Sequence, residues 1–286
     1  MRPVDTLIFG FIAALAAITI IFMRQIPKAY SILSVYVFLS VGLVFLIFIS
    51  KKHKGSILTF IHNVAYPYLV IVLVFNTLGG LIKYINPVSY DHILIRLDYL
   101  IFGAHPTIAL ERFVSPIITE LLQYAYISYY FLPIILATAL IIKKKDAELD
   151  RAIFLVALCF FLSYIGYIFI PAIGPRFTMN HIQSFDLHGV LFRDIIDSTL
   201  NALEGLKRDA FPSGHTAVSL VVLYIAYRFE RNLFLVFLPF VLALMFSTVY
   251  LRYHYAVDTF AGVLLAVFTV IVGERIYNKW EKKQKQ

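Results

Sequence analysis

The chain has one cysteine in 286 residues, Cys159, and it lies inside an apolar run. A disulfide framework and a cysteine-based zinc cluster are therefore excluded. Charge is scarce as well. Only 15% of residues are Asp, Glu, Lys or Arg, against roughly 25% in soluble domains. No internal repeat or low-complexity segment stands out. What is abundant is apolar: 60% of residues are hydrophobic and the mean hydropathy is +0.82. The chain reads as an all-α, polytopic transmembrane helical bundle.

The formal charge of +8 is explained by its placement. Basic residues gather at Lys51-Lys52-His53-Lys54, Lys143-Lys144-Lys145, Arg228 with Arg231, and Lys279 through Lys285. These are alternate connections between apolar runs, the pattern of cytoplasmic loops under the positive-inside rule. No basic groove of the kind nucleic acid requires is visible, so nucleic acid is not an expected partner. Met1-Arg2-Pro3-Val4-Asp5 and the apolar stretch to Met23 share the outline of a signal peptide. The run continues without a convincing small-residue cleavage site, so it reads as a retained first span.

Apolar runs predict about eight helices, near 6–23, 30–50, 57–82, 117–142, 152–171, 213–228, 233–251 and 256–277. Two N-terminal spans (1–56) precede a six-span core (57–286). An even count with a basic tail puts both termini in the cytoplasm, in a plasma or inner membrane. Two longer segments, near 83–116 and 172–212, then fall on the opposite face. The first is too polar to span, with Asp91, His92, Arg96, Asp98 and Glu111. It reads either as an interfacial or re-entrant helix or as a solvated ectoloop.

His254 follows His215 by 39 residues, nearly all apolar. One crossing needs about 20 apolar residues, so this gap fits a hairpin turning at Arg228-Phe229-Glu230-Arg231-Asn232. Both histidines then return to one membrane face. A helix starting at Ser213-Gly214 offers unpaired amides and the positive end of its dipole to an anion. Gly214 permits close backbone approach, and the Ser213 hydroxyl adds a donor. Arg176, Lys207, Arg208 and Arg252 are the candidate cations on that face. Asp258, four residues after His254, can reach the imidazole and orient it, leaving the other nitrogen to attack phosphorus. His215 is then the candidate general acid.

Each motif is weak alone: Ser-Gly-His is common at helix starts, and His-x-x-x-Asp is usually a local hydrogen bond. Their arrival at one predicted face with Arg252 adjacent favours a shared site. Zinc would want three or four preorganised ligands. Only His215, His254 and Asp258 converge, beside arginines that repel a cation, so no metal or other cofactor is expected. Tyr124, Tyr126, Tyr129 and Tyr130 form a cluster read as packing or an interfacial belt.

The strings Asp209-Ala210-Phe211-Pro212-Ser213-Gly214-His215-Thr216 and Arg252-Tyr253-His254-Tyr255-Ala256-Val257-Asp258 resemble the type-2 phosphatidic acid phosphatase superfamily, over about residues 150–277. The resemblance implies a helical bundle and metal-independent phosphoryl transfer through a phosphohistidine. His254 would be the nucleophile, Asp258 its partner and His215 the acid, with Ser213 and Gly214 lining the phosphate pocket. The lipid-phosphatase pattern has a lysine seven residues before an Arg-Pro pair. Here Phe169 precedes Gly174-Pro175-Arg176. That pattern also has a Ser-Arg pair six residues before the nucleophile, where this chain has Ser247-Thr248. The Arg-x-His-Tyr-x-x-Asp form, and Leu97-Asp98-Tyr99-Leu100-Ile101-Phe102-Gly103-Ala104-His105-Pro106, resemble the inositol phosphorylceramide synthase branch.

The expected substrate is a lipid phosphate or diphosphate, with hydrolysis favoured because water needs no dedicated pocket. Transfer to an alcohol acceptor such as inositol is the alternative, and a non-catalytic lipid-phosphate binder or transporter a lesser one.

Overall fold

The computed structural model describes residues 1–52, 56–204 and 208–284. Every regular element among them is helical. α1 (Pro3–Ile21) and α2 (Ala29–Lys52) form an N-terminal hairpin. α3 (Ser56–Phe60) passes through a π turn at Ile61–Ala65 into α4 (Tyr66–Ile85). α5 (Asp91–Phe102) and α6 (Pro106–Ala109) lead to α7 (Pro116–Ile142) and α8 (Asp146–Phe169). α9 (Pro175–Thr178) and α10 (Arg193–Glu204) precede α11 (Gly214–Phe229), α12 (Arg231–Tyr250) and α13 (Ala256–Gln284).

Seven helical stretches are long and apolar enough to cross a membrane, or eight if the bent pair Asp91–Phe102 and Pro106–Phe113 is one span. α11 is not among the seven because its 16 residues make a rod of only about 24 Å. It nevertheless runs between the two ends of the bundle. At one end the Ser213 amide donates to the Asp258 carbonyl (3.0 Å). At the other, Glu230 pairs with Lys143 and Lys145 of the α7–α8 turn. α7, α8, α12 and α13 surround α11, and Ala217, Val218, Val221, Val222, Ile225 and Ala226 are buried. Helices rather than lipid cover this rod, so it need not match the bilayer thickness itself. α11 ends at Phe229 and α12 starts at Arg231, so the hairpin turns on Glu230 alone.

Further ionic contacts lie at the Glu230 end. Arg151 and Arg228 converge on Glu274, each at 2.6 Å, tying α8, α11 and α13 together. The boundary near residue 56 falls beside residues 53–55, outside the described residues. The N-terminal hairpin lies against the rest of the bundle: α1 contacts α4 and α8, and Phe11 stacks on Phe161 at 4.3 Å.

The 83–116 segment is helical rather than an irregular solvated loop. α5 turns Ile93, Leu97, Leu100, Ile101 and Phe102 outward and buries Asp91, Leu94 and Asp98. Gly103, at φ 69°, ends it in the left-handed conformation that glycine adopts without penalty. In the 172–212 segment, Glu120 of α7 accepts from the amides of Val190 (3.0 Å), Leu191 (3.2 Å), Phe192 (2.8 Å) and Arg193 (3.2 Å). A carboxylate here holds the turn that leads into α10, together with its first amide at Arg193, and complements the helix dipole.

Candidate active site

The site is built where α11 begins and α12 hands over to α13. Ser213 is the N-cap of α11: its Oγ accepts from the Thr216 amide at 3.3 Å. Such a cap contributes about 1 kcal/mol and turns His215 inward on the first helical turn. α12 ends with the Thr248 carbonyl accepting from both the Tyr253 amide (3.0 Å) and the His254 amide (2.9 Å). That closure requires Arg252 to take the left-handed conformation, φ 64°.

The His254 ring is oriented by a backbone carbonyl. Its Nδ1 lies 2.7 Å from the Ala210 oxygen. A carbonyl can only accept, so Nδ1 carries the proton and donates it. Nε2 faces His215, 3.5 Å from that ring's Nδ1. Asp258 is 3.7 Å from His254 Nδ1, an ionic contact longer than a hydrogen bond. Its nearer partner is the Tyr255 amide, at 2.9 Å from Oδ2. α13 therefore starts at Ala256, two residues later than a helix opening on His254 would. Asp258 is fully buried and His254 only 4% exposed.

Close packing joins the two motifs. A Cβ on Gly262 would lie 2.6 Å from the Ser213 carbonyl and 2.9 Å from Thr216 Cβ, so only glycine lets α13 approach α11 here. Gly174, at φ 100°, passes the Tyr253 carbonyl where a Cβ would come within 2.6 Å. Gly214 faces the Tyr167 hydroxyl.

The structure brings His215, His254, Asp258, Ser213 and Gly214 together. The cations take other positions. The Arg176 guanidinium donates to Asp197 (2.8 Å) and to Asn201, and lies over the Tyr253 ring at 4.9 Å. Arg252 is 3% exposed. It donates to Glu111 (2.8 Å), Gln183 (3.0 Å) and the Phe185 carbonyl (2.8 Å). Burial lowers the Arg252 pKa, and the Glu111 carboxylate opposes that shift. Arg208 donates to the carbonyls of Asn86 (3.3 Å) and Pro87 (3.1 Å). Lys207 lies outside the described residues. Among the described residues, no group of three or more His, Cys, Asp or Glu side chains is placed to hold a metal.

Two groups of residues escaped sequence reasoning. The first is an aromatic wall. The Tyr126 ring stacks on His215 (4.5 Å) and on Tyr253 (4.3 Å), and Tyr129 lies against His215 at 4.3 Å. The tyrosine cluster was visible, but nothing local tied it to a histidine on another helix. Burial, and then the Asp197 carboxylate, raise the Tyr253 pKa. Its hydroxyl keeps its proton and donates it to Asp197 at 2.7 Å. The second group is acidic. Asp91 accepts from the amides of Ile173 (3.0 Å) and Gly174 (2.9 Å) and from the Tyr255 hydroxyl (2.8 Å). Asp98 accepts from the amides of Ala256 (3.0 Å) and Val257 (2.9 Å). Apart from the place of Asp98 in the Leu97–Pro106 string, their sequence signal is spacing: two acids seven residues apart fall on one helix face two turns apart.

A bundle of long apolar helices, with His254 and His215 paired at one end, defines an integral-membrane protein. The model of the PAP2 superfamily matches residues 92–272, and the chain belongs to that superfamily, the type-2 phosphatidic acid phosphatases. It is 27% identical over 185 residues to a PA-phosphatase related-family protein of Dictyostelium discoideum. That match covers 57% of this chain and 33% of the relative, so the chain spans about a third of the relative's length. No solved structure matches it.

Proposed function

We propose that the protein transfers phosphoryl from a lipid phosphate or diphosphate through a phosphohistidine on His254. The observation that carries this reading is the bond from His254 Nδ1 to the Ala210 carbonyl. It leaves the Nε2 lone pair directed toward His215, the geometry a nucleophile with an adjacent proton donor needs. In the first step Nε2 forms a bond to phosphorus while the phosphorus–oxygen bond to the lipid breaks. Protonated His215 gives its proton to the departing oxygen. In the second step neutral His215 takes a proton from water as the water oxygen attacks phosphorus, and the bond to Nε2 breaks. Free phosphate and the original enzyme result. Asp258, buried beside the ring, stabilises the positive charge that develops on His254.

Ser213 and Gly214 place the opening of α11 at the site, where a helix N-terminus favours an anion. Arg176 and Arg252 supply positive charge on one flank, each exchanging a carboxylate partner for phosphate. Arg176 is the more accessible, because Arg252 holds three partners in a buried setting. Arg208, and Lys207 by its place in the sequence, are further candidate contributors. The mechanism calls for no metal or other cofactor. The basic Glu230 end is cytoplasmic, and the histidine end is extracytoplasmic.

Water as acceptor makes the protein a phosphatase. A second reading is a lipid phosphotransferase resembling inositol phosphorylceramide synthase, moving a phospho-headgroup to an alcohol. It is favoured by Arg252 two residues before His254, where the lipid-phosphatase pattern has its arginine six before. The discriminating experiment incubates the protein in vesicles with labelled lipid phosphates, with and without alcohol acceptors, and identifies the products. Free phosphate supports hydrolysis, and a new phosphodiester supports transfer. Recovery of unchanged lipid contradicts both and leaves a lipid-phosphate binder or transporter.

A further inference from the structure

We propose that Asp98 is a positioning residue for His254: it caps α13 from a separate helix and thereby sets the segment on which the imidazole stands. This rests on the assignment of His254 as the reacting group.

A helix opens with amides that have no partner in the helix itself. The usual remedy is a short polar side chain at the N-cap, just before the first turn. α13 has none, since Tyr255 occupies that position and His254 precedes it. Asp98 fills the role from 158 residues away, with Oδ2 3.0 Å from the Ala256 amide and Oδ1 2.9 Å from the Val257 amide. Asp258 takes the Tyr255 amide, so two carboxylates satisfy three consecutive amides. Because the cap comes from α5, the residues before α13 need not fold back over its end. The His254 ring is left to reach the Ala210 carbonyl and His215.

α5 holds the same segment at a second point. Asp91, two turns earlier, accepts from the Tyr255 hydroxyl and from the amides of Ile173 and Gly174. Gly174 in turn passes beneath the Tyr253 carbonyl. Asp98 is 2% exposed and Asp91 5%, so water does not compete for either set of bonds. The polar face of α5 thus bonds to each of the three residues that follow His254 and, through Gly174, lies against the residue before it; its apolar face is turned outward.

The test uses the full chain in vesicles, with Asp98→Ala and Asp98→Asn. A 1 Å displacement of a reacting group costs about 100-fold in rate, so Asp98→Ala should lower kcat by that order with KM within about threefold. Asn retains an acceptor for one of the two amides, and one retained bond corresponds to about a tenfold smaller loss.

The second readout does not need turnover: the rate at which diethyl pyrocarbonate modifies each histidine, resolved by peptide mass spectrometry. His62 is 7% exposed and sits on the π turn beside Asp5 near the start of the chain, so it reports global loosening. Asp98→Ala should speed modification of His254 about tenfold, the weight of one lost hydrogen bond, and leave His62 unchanged. Equal acceleration at His62 and His254, or no change at either, would overturn the proposal. So would a kcat in Asp98→Ala equal to that of the unaltered protein. If the unaltered protein turns over no lipid phosphate, the functional reading fails, and the modification rates still decide the role of Asp98.

Discussion

His254 donates its Nδ1 proton to the Ala210 carbonyl at 2.7 Å, so the backbone leading into Pro212-Ser213-Gly214-His215 fixes the tautomer of the second histidine. In the proposed mechanism one motif would supply the nucleophile's orientation as well as its proton donor. A peptide carbonyl has no other hydrogen-bonding role than to accept, so it leaves no choice of tautomer for the neutral ring. A mechanism of this form makes separate demands on each residue.

His215→Ala should remove the proton donor and leave the nucleophile. General acid catalysis contributes about 10²–10⁴-fold, and turnover of a lipid phosphate should fall by that order. An aryl phosphate has a leaving group that departs without a proton, and its loss should be much smaller. The check is the ratio of kcat values for the two substrates. An equal loss on both would remove His215 from the acid role.

Gly262→Ala tests the contact between α11 and α13. The added methyl would meet the Ser213 carbonyl at 2.6 Å, and backbone cannot yield as a flexible side chain can. Overpacking of this kind costs about 1–3 kcal/mol. Thermal unfolding in detergent should show that loss, with turnover reduced as Ser213 shifts. Unchanged stability and turnover would mean the helices separate freely at this point.

The two arginines should respond differently. Arg176→Ala is expected to weaken binding of vanadate, a phosphate analogue, by about tenfold or more, the loss of one charge-assisted bond. Arg252→Ala leaves Glu111 buried without its guanidinium, a change that costs about 3–5 kcal/mol. The double variant Arg252→Ala, Glu111→Ala should regain part of that stability without regaining turnover. Isothermal titration and thermal unfolding separate the two effects. Full vanadate affinity in Arg176→Ala would take that residue out of the phosphate pocket.

The motifs were legible because each is a contiguous string and because an apolar gap of known length returns the chain to the same face. Helix positions followed from the same apolar runs. The 83–116 segment divided into interfacial and solvated readings because α5 has inverted polarity, with acids inward and apolar residues outward. Most partners of Asp91, Asp98 and Glu120 are backbone amides, which carry no residue-type signature, so these carboxylates could not be assigned from residue type. The arginines show the complementary gap. The sequence placed them on one predicted face, but the direction of each guanidinium depends on Asp197 and Glu111, which lie elsewhere in the chain.

The most direct measurement is covalent capture on His254. The protein is mixed with lipid phosphate labelled on phosphorus, quenched during turnover, and the modified peptide identified by mass spectrometry. The account predicts acid-labile, base-stable phosphate on His254 in the unaltered protein and none in His254→Ala. Label at another residue, or label persisting in His254→Ala, would contradict it.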